Sequence, residues 1–187
     1  NKYIEAEELA VIVPIPEAVL DDSAFDIWGE VQPALVEAFG IAIDQAVLYG
    51  TNIPASWSTN LGAAGLVALS TAAGNTVSLA AYTDLYEALL GETAAGVAGS
   101  LGKLEEDGYV ATGHVADTSM RRKLRNVRDA DGGLIFKNNM QDSSRFDLDG
   151  APIYFPTNGA ISAATALVVS GQWNQLVFAM RQDITYK

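Results

Sequence analysis

The chain contains no cysteine, which excludes disulfides, thiolate metal sites and cysteine nucleophiles and leaves the redox compartment open. Its one histidine, His114, excludes a histidine metal cluster and leaves a single imidazole for acid–base work. Cations are scarce: 11 Lys and Arg stand against 23 Asp and Glu, a net charge of −12. A free-standing nucleic-acid binder presents a dense positive face, so repulsion from phosphates is the default here. There is no Asn-x-Ser/Thr acceptor. No run approaches the ~18 consecutive apolar residues of a membrane span, and no basic-then-apolar leader opens the chain. We therefore expect a soluble, untargeted chain with no membrane partner. The final stretch, LVFAMRQDITYK, has no closing turn, which suggests a piece of something longer.

What is present is enough for a full core. The 187 residues are 49% hydrophobic and 18% charged, unlike a disordered chain. Much of the apolar share is Ala, beside 17 Gly, which favours close backbone packing and tight turns over a thick aromatic core.

The organising stretch is Ser23 to Gly50. Apolar residues at Ala24, Trp28, Val31, Leu35, Ala38/Phe39, Ala42 and Ala46 step by threes and fours and predict one amphipathic helix over about 23–49. Asp21, Asp22 and Ser23, with Asp26 in the first turn, mark its start; Gly50 supplies the C-cap, with Pro54 beyond. About 27 residues at 1.5 Å each make a rod of roughly 40 Å, a spine for the domain. Pro33 lies inside it, facing the carbonyl of Gly29, and predicts a kink or bendable joint over Gly29 to Pro33. Two shorter helices meeting there are the alternative.

Along the rest of the chain, Leu9 to Val13 predicts a strand covered on both faces, ended by Pro14 and Pro16. Glu17 to Leu20 is a helical turn, and Thr51 to Asn60 is a connector between two lobes. Leu61 to Thr76 is open between loose helix and loop. Helices are expected at Thr83 to Leu90, with Thr83 as N-cap, and near Thr93 to Leu104, ending in the acidic turn Glu105, Glu106, Asp107, Gly108. Tyr109 to His114 is a short strand. Asp117 and Thr118 cap a helix over Ser119 to Asp129, closed by Asp131, Gly132 and Gly133. Leu134 to Phe136, Ala151 to Phe155, Ala166 to Val169 and Leu176 to Thr185 are strand-like, the last two around a Ser170-Gly171 turn. Helices and strands mix without regular alternation, which is the α+β class.

The candidate chemistry is thin. Asp117 and Ser119 lie near His114 in sequence, whereas triad members converge from separate segments, so His114 is expected at a strand end or on the surface. GVAGSLGK, ending at Lys103, lacks the first glycine and the hydroxyl of a phosphate loop: Val97 and Leu104 stand in those places. Asp129, Asp131 and Gly132 start like a calcium loop, but Met140 occupies the position of the bidentate Glu. Arg121, Arg122, Lys123, Arg125 and Arg128 put five of the eleven cations on one helix, a sorting of charge that suits self-complementary association, a solvated face being the alternative. Trp28, Trp57 and Trp173 are core or interface anchors. We assign no catalytic, cofactor-binding or metal residues, expect no cofactor, and do not expect an enzyme.

Several segments together resemble one family. IVPIPEAVLDD (12–22), the helix end DQAVLYG (44–50), TSMRRKLRNVRDADGG (118–133), DGAPIYFP (149–156) and ALVVSGQWNQLVFAMRQDITYK (166–187) are similar, in order, to the major capsid proteins of tailed bacteriophages, which share the Hong Kong 97 fold. Residues 61–104 match least. The resemblance implies a peripheral lobe on the spine helix (1–59) and a mostly axial lobe (60–187) whose last strand returns toward the first. It implies a structural shell subunit that self-assembles with copies of itself into hexamers and pentamers of an icosahedral head, assembled in the host bacterial cytoplasm and residing in the virion. Scaffold, portal and decoration proteins are implied partners, and DNA is enclosed without sequence-specific binding. Relative to that family the N-terminal arm, the extended hairpin loop and the final peripheral strands are missing from the residues in hand. The alternatives are an encapsulin-like nanocompartment shell with the same fold, and an α+β small-molecule-binding or enzymatic domain, which predicts a deep pocket with converging polar groups. A basic-helix nucleic-acid adaptor would show strongly salt-dependent binding.

Overall fold

A computed structural model describes residues 5–17, 26–128, 131–135 and 146–181. The chain divides into two compact units, Asn1–Leu66 with Ala179–Lys187, and Val67–Phe178.

The first unit is built on helix α1, Ile27–Tyr49, which runs as one helix through Pro33. Two helices meeting at the proline are thereby excluded. The proposed start at Ser23, with Asp21 and Asp22, lies outside the described residues. The cap is Asp26, whose carboxylate accepts the Gly29 N–H at 3.1 Å. That bond gives Gly29 a purpose of its own, because a Cβ there would come within 2.8 Å of the Asp26 carboxylate oxygen. The half-buried residues Ile27, Val31, Leu35 and Phe39 follow a step of four, and Ala46 and Leu48 are buried at the far end. Trp28, Ala38 and Ala42, expected on the inward stripe, are exposed instead, Trp28 by 45%. The covered line is thus the one beginning at Ile27, one residue round from Trp28.

Glu30, Glu37 and Asp44 recur every seventh residue on exposed positions, a row of carboxylates along the rod. By length and composition alone this helix would also suit a membrane span. A carboxylate at a bilayer centre costs about 2.5–3.5 kcal/mol, and this helix carries three.

Gly50 ends α1 in the left-handed conformation, φ 69°, its N–H bonding Ala46 O at 3.0 Å while Thr51 N–H bonds Gln45 O at 3.2 Å. Gly50 also meets Gly65, itself at φ +76°: a Cβ on Gly65 would sit 2.5 Å from the nitrogen of Gly50, and one on Gly50 2.6 Å from the backbone of Ala64. Two backbones cross there because neither residue has a side chain. Residues 51–60, expected as a bare connector, contain helix α2, Ala55–Leu61; Pro54 sits at its N-cap, where a missing N–H costs nothing. Helix α3, Gly65–Ala72, settles the open stretch after Leu61 as helix, closed by Gly74 at φ +80°.

Residues 5–16 form no strand. Leu9 (52%), Val11 (51%), Ile12 (91%) and Val13 (43%) are exposed, and no ladder partner lies beside them among the described residues. Apolar sequence predicts burial, but a strand forms only where another edge is offered. The segment is tied by the Ser56 hydroxyl to the Glu7 carboxylate and by Trp57 Nε1–H to Glu5 O at 3.3 Å. Of the turn expected at Glu17 to Leu20, residues 18–20 lie outside the described set.

The second unit takes up α3 from Val67 and continues with a 3₁₀ turn, Leu79–Ala81, and helix α4, Leu85–Leu89. Asp84, one residue after the expected Thr83, caps α4 by accepting the Glu87 N–H at 2.9 Å, while Glu87 reaches back to the Thr83 N–H at 3.0 Å. The helix expected from Thr93 begins only at Ser100: α5 is Ser100–Glu106. Residues 92–98 fold back as a tight turn, Thr93 N–H bonding Val97 O at 2.9 Å, with Gly96 at φ +75°. Gly99 follows where a Cβ would lie 2.5 Å from Glu87 O, so this glycine is fixed by close passage over α4.

The sheet joins four described strands, β1 Gly113–Ala116, β2 Asp147–Leu148, β3 Ala151–Tyr154 and β4 Val168–Gly171, in the order β2-β3-β1-β4. β1 is parallel to β3 and antiparallel to β4, and β2 and β3 form a hairpin about Asp149 (φ 49°) and Gly150 (φ 76°), the conformations a two-residue hairpin loop demands. The expected strand Tyr109 to His114 is displaced: pairing begins at Gly113, opposite Gly171. Ser170 and Gly171 are not a turn but ladder positions in β4, facing His114 and Gly113. Leu134 makes one bridge, to Arg128, and Phe136 lies outside the described residues. Residues 176–181 form no strand, and 182–185 lie outside the description. Helix α6, Ser119–Arg125, is shorter than expected. The core joins Leu89, Leu101, Ala116, Met120, Leu124, Phe146, Leu148 and Ile153.

Candidate functional surfaces

α6 follows β1 through Asp117, whose carboxylate accepts the Ser119 N–H at 2.8 Å; the Ser119 hydroxyl and then its N–H hold the Asp117 carboxyl below the usual range. Met120 and Leu124 point into the core, 1% and 3% exposed, which forces Arg121, Arg122, Lys123 and Arg125 outward. Cations in a last helical turn also complement its negative end. Arg121 lies over two rings, 4.9 Å from the centre of Phe146 and 5.4 Å from that of Phe155, which meet edge to face at 5.1 Å. Arg125 Nε–H donates to Arg121 O at 3.2 Å and Arg128 Nη1–H to Gly132 O at 2.9 Å. Arg122, Lys123, Arg125 and Asn126 line an open depression. None of the five cations pairs with a carboxylate among the described residues. Leu134 (42%) and Ile135 (44%) are exposed on the adjoining turn, where Ile135 N–H bonds Val127 O at 3.1 Å.

A second surface was not singled out by sequence. Glu105, Glu106 and Asp107 close α5 in exposed positions, and Tyr109 (46%) and Val110 (65%) stand exposed directly after them. Its trace in the sequence is an acidic turn leading straight into apolar residues, a pattern that also suits the start of a strand.

His114 is neither at the surface nor free to react. It is 0% exposed, with Nδ1 2.8 Å from Ser170 Oγ and Nε2 3.1 Å from Leu148 O. A carbonyl only accepts, so Nε2 carries the proton and Nδ1 accepts the serine hydroxyl. Burial holds this imidazole below its ordinary value, against the opposing Leu148 carbonyl and Asp149 charge. Asp117 does not join it: that carboxylate is spent on Ser119.

The phosphate-loop likeness dissolves in the fold. Gly96 makes a turn, Gly99 a close passage, and Lys103 Nζ donates to Gly74 O at 2.8 Å. Of the calcium-like run, Asp129 lies outside the described residues, and Gly132 O is taken by Arg128. Among the described residues no three acidic or imidazole groups converge on a metal site. Trp173 anchors β1, donating Nε1–H to Gly113 O at 2.9 Å.

A model of the phage capsid family matches residues 1–187. Similar solved structures include a chain of Microbacterium phage Oxtober96, 32% identical, covering 88% of this chain and 51% of that one, with a TM-score of 0.70. Chains of Mycobacterium phage Cain (31%, 88% and 49%, TM-score 0.62) and Mycobacterium phage Adephagia (30%, 87% and 48%, TM-score 0.61) are also similar. The chain thus spans about half the length of these solved relatives. No curated protein sequence matches it.

Proposed function

Since the chain belongs to the phage capsid family, we propose that it is the shell-forming part of a major capsid protein, whose copies assemble into the hexamers and pentamers of an icosahedral head around DNA. The observation that carries this reading is the family match along all 187 residues, joined to the likeness of fold to solved phage chains. Its role is structural, and we assign it no catalysis. Residues 1–59, with α1, serve as the peripheral lobe and 60–187 mostly as the axial lobe; the compact units divide the chain a little later, between Leu66 and Val67. Assembly takes place in the host cytoplasm, with scaffold, portal and decoration proteins as partners of the whole protein.

Pro33 supplies the mechanical part. It leaves the Gly29 carbonyl without its helical donor inside an otherwise regular rod, so bending costs least there. Expansion of an immature shell would use that joint. The test is electron microscopy of the complete gene product expressed alone. Closed particles are expected, and their contents, DNA or packaged protein, separate a phage head from a nanocompartment. A monomer at all concentrations would overturn the shell role.

A further inference from the structure

Two surfaces of the second unit are built as opposites. One is the cation cluster Arg122, Lys123, Arg125 at the end of α6, flanked by exposed Leu134 and Ile135. The other is Glu105–Glu106–Asp107 at the end of α5, flanked by exposed Tyr109 and Val110. Among the described residues, neither charge cluster is consumed by partners of opposite sign. Arg122 and Lys123 have no carboxylate partner among the described residues. Lys103, the one cation of α5's last turn, is spent on the Gly74 carbonyl, and Asp107 takes only the Asn75 amide at 2.6 Å.

The acidic cluster also stands at the wrong end of its helix. Carbonyls crowd a helix C-terminus with partial negative charge, so carboxylates there weaken the fold, whereas the α6 cations suit theirs. Exposed Tyr and aliphatic residues inside a charged rim are the composition of a protein contact. Acidic nucleic acid would suit the cations but not the carboxylates, while a second copy of this chain answers both.

We propose that the α6 surface of one copy docks on the α5–Tyr109–Val110 surface of the next, a head-to-tail contact that repeats around a ring. Different patches meeting on identical subunits close into rings when the rotation allows. The inference rests on the shell reading and names which surfaces that reading would use.

The test uses the full gene product and sedimentation velocity with electron microscopy. Arg122→Glu with Lys123→Glu, and separately Glu105→Lys with Glu106→Lys, are expected to raise the concentration needed for association at least roughly tenfold, with melting curves unchanged because all four side chains are exposed. Combining the two pairs restores oppositely signed faces and is expected to recover association. Wild-type association also weakens as salt screens the contact. Recovery of ring-sized oligomers that never close into particles would keep this contact and remove the shell reading. Particles indistinguishable from wild type in both single-patch variants, or no recovery in the combined one, would remove the contact and leave the shell reading standing. Loss of duplex DNA binding in the Arg122→Glu, Lys123→Glu variant with association intact would assign the cations to nucleic acid and overturn the proposal.

Discussion

His114→Ala probes a buried polar side chain, the one among the described residues, that ties three strands together. The imidazole on β1 joins Ser170 on β4 to the last carbonyl of β2. Removing it empties a fully enclosed site, a loss of about 2–3 kcal/mol by analogy with large-to-small core changes. It also orphans the Leu148 carbonyl in a buried residue, roughly 1–3 kcal/mol more, while half-buried Ser170 recovers water. The sum, roughly 3–6 kcal/mol, is a large share of the about 5–15 kcal/mol typical of a domain. Urea denaturation followed by far-ultraviolet circular dichroism measures it.

The same group predicts a pH dependence with a definite sign. Its folded value lies below the ordinary 6.5, so the unfolded chain binds the proton first. Stability is therefore flat above that value and falls as pH drops beneath it, by up to about 1.4 kcal/mol per pH unit, until the buried ring itself protonates. Because this is the chain's only histidine, the fall that starts near the ordinary imidazole value must vanish in His114→Gln, which keeps an N–H for Leu148, leaving only the loss that Asp117, held below the usual range, adds at lower pH. Asp44, on the exposed side of α1 but partly desolvated so that its carboxyl lies above the usual range, contributes the opposite sign, its effect growing more favourable as pH falls. A loss under about 1 kcal/mol in His114→Ala, or an unchanged slope in His114→Gln, would refute the account of the sheet.

Gly50→Ala and Gly65→Ala should each lower the melting temperature sharply, since a methyl would meet backbone within 2.7 Å at a left-handed residue. Gly40→Ala, mid-helix with open space around it, should instead raise stability by about 1 kcal/mol. Met120→Ala, at 1% exposure, should cost about 2–5 kcal/mol in the same denaturation assay. Pro33→Ala should stabilise α1 by restoring a donor to the Gly29 carbonyl yet impair shell expansion; unaltered expansion would remove the joint from the mechanism.

Local signals were legible and long-range ones were not. The rod ending at Gly50, the strand beginning at Ala151 and the helix start after Asp117 are written in neighbouring residues, and the fold obeys them. Strand placement failed where the partner is remote. Tyr109 to His114 and Gly113 to Ala116 are equally plausible windows until β4, some fifty residues on, selects the second. Ser170-Gly171 has turn composition, but pairing with His114 and Gly113 overrides it. Leu9 to Val13 is apolar enough for a strand and finds no edge. The inward placement of His114 depends on an acceptor and a donor contributed by two other strands, which no spacing rule encodes.

The order of strands in the sheet bears on how the protein is made. β1 sits in the middle, yet the serine that completes its outer side is 56 positions later in the chain. At about 5–20 residues per second, a ribosome needs roughly 3–11 s to deliver it. Throughout that interval the nascent β1 lacks its β4 neighbour, so the sheet closes only after almost all of the described chain has been made.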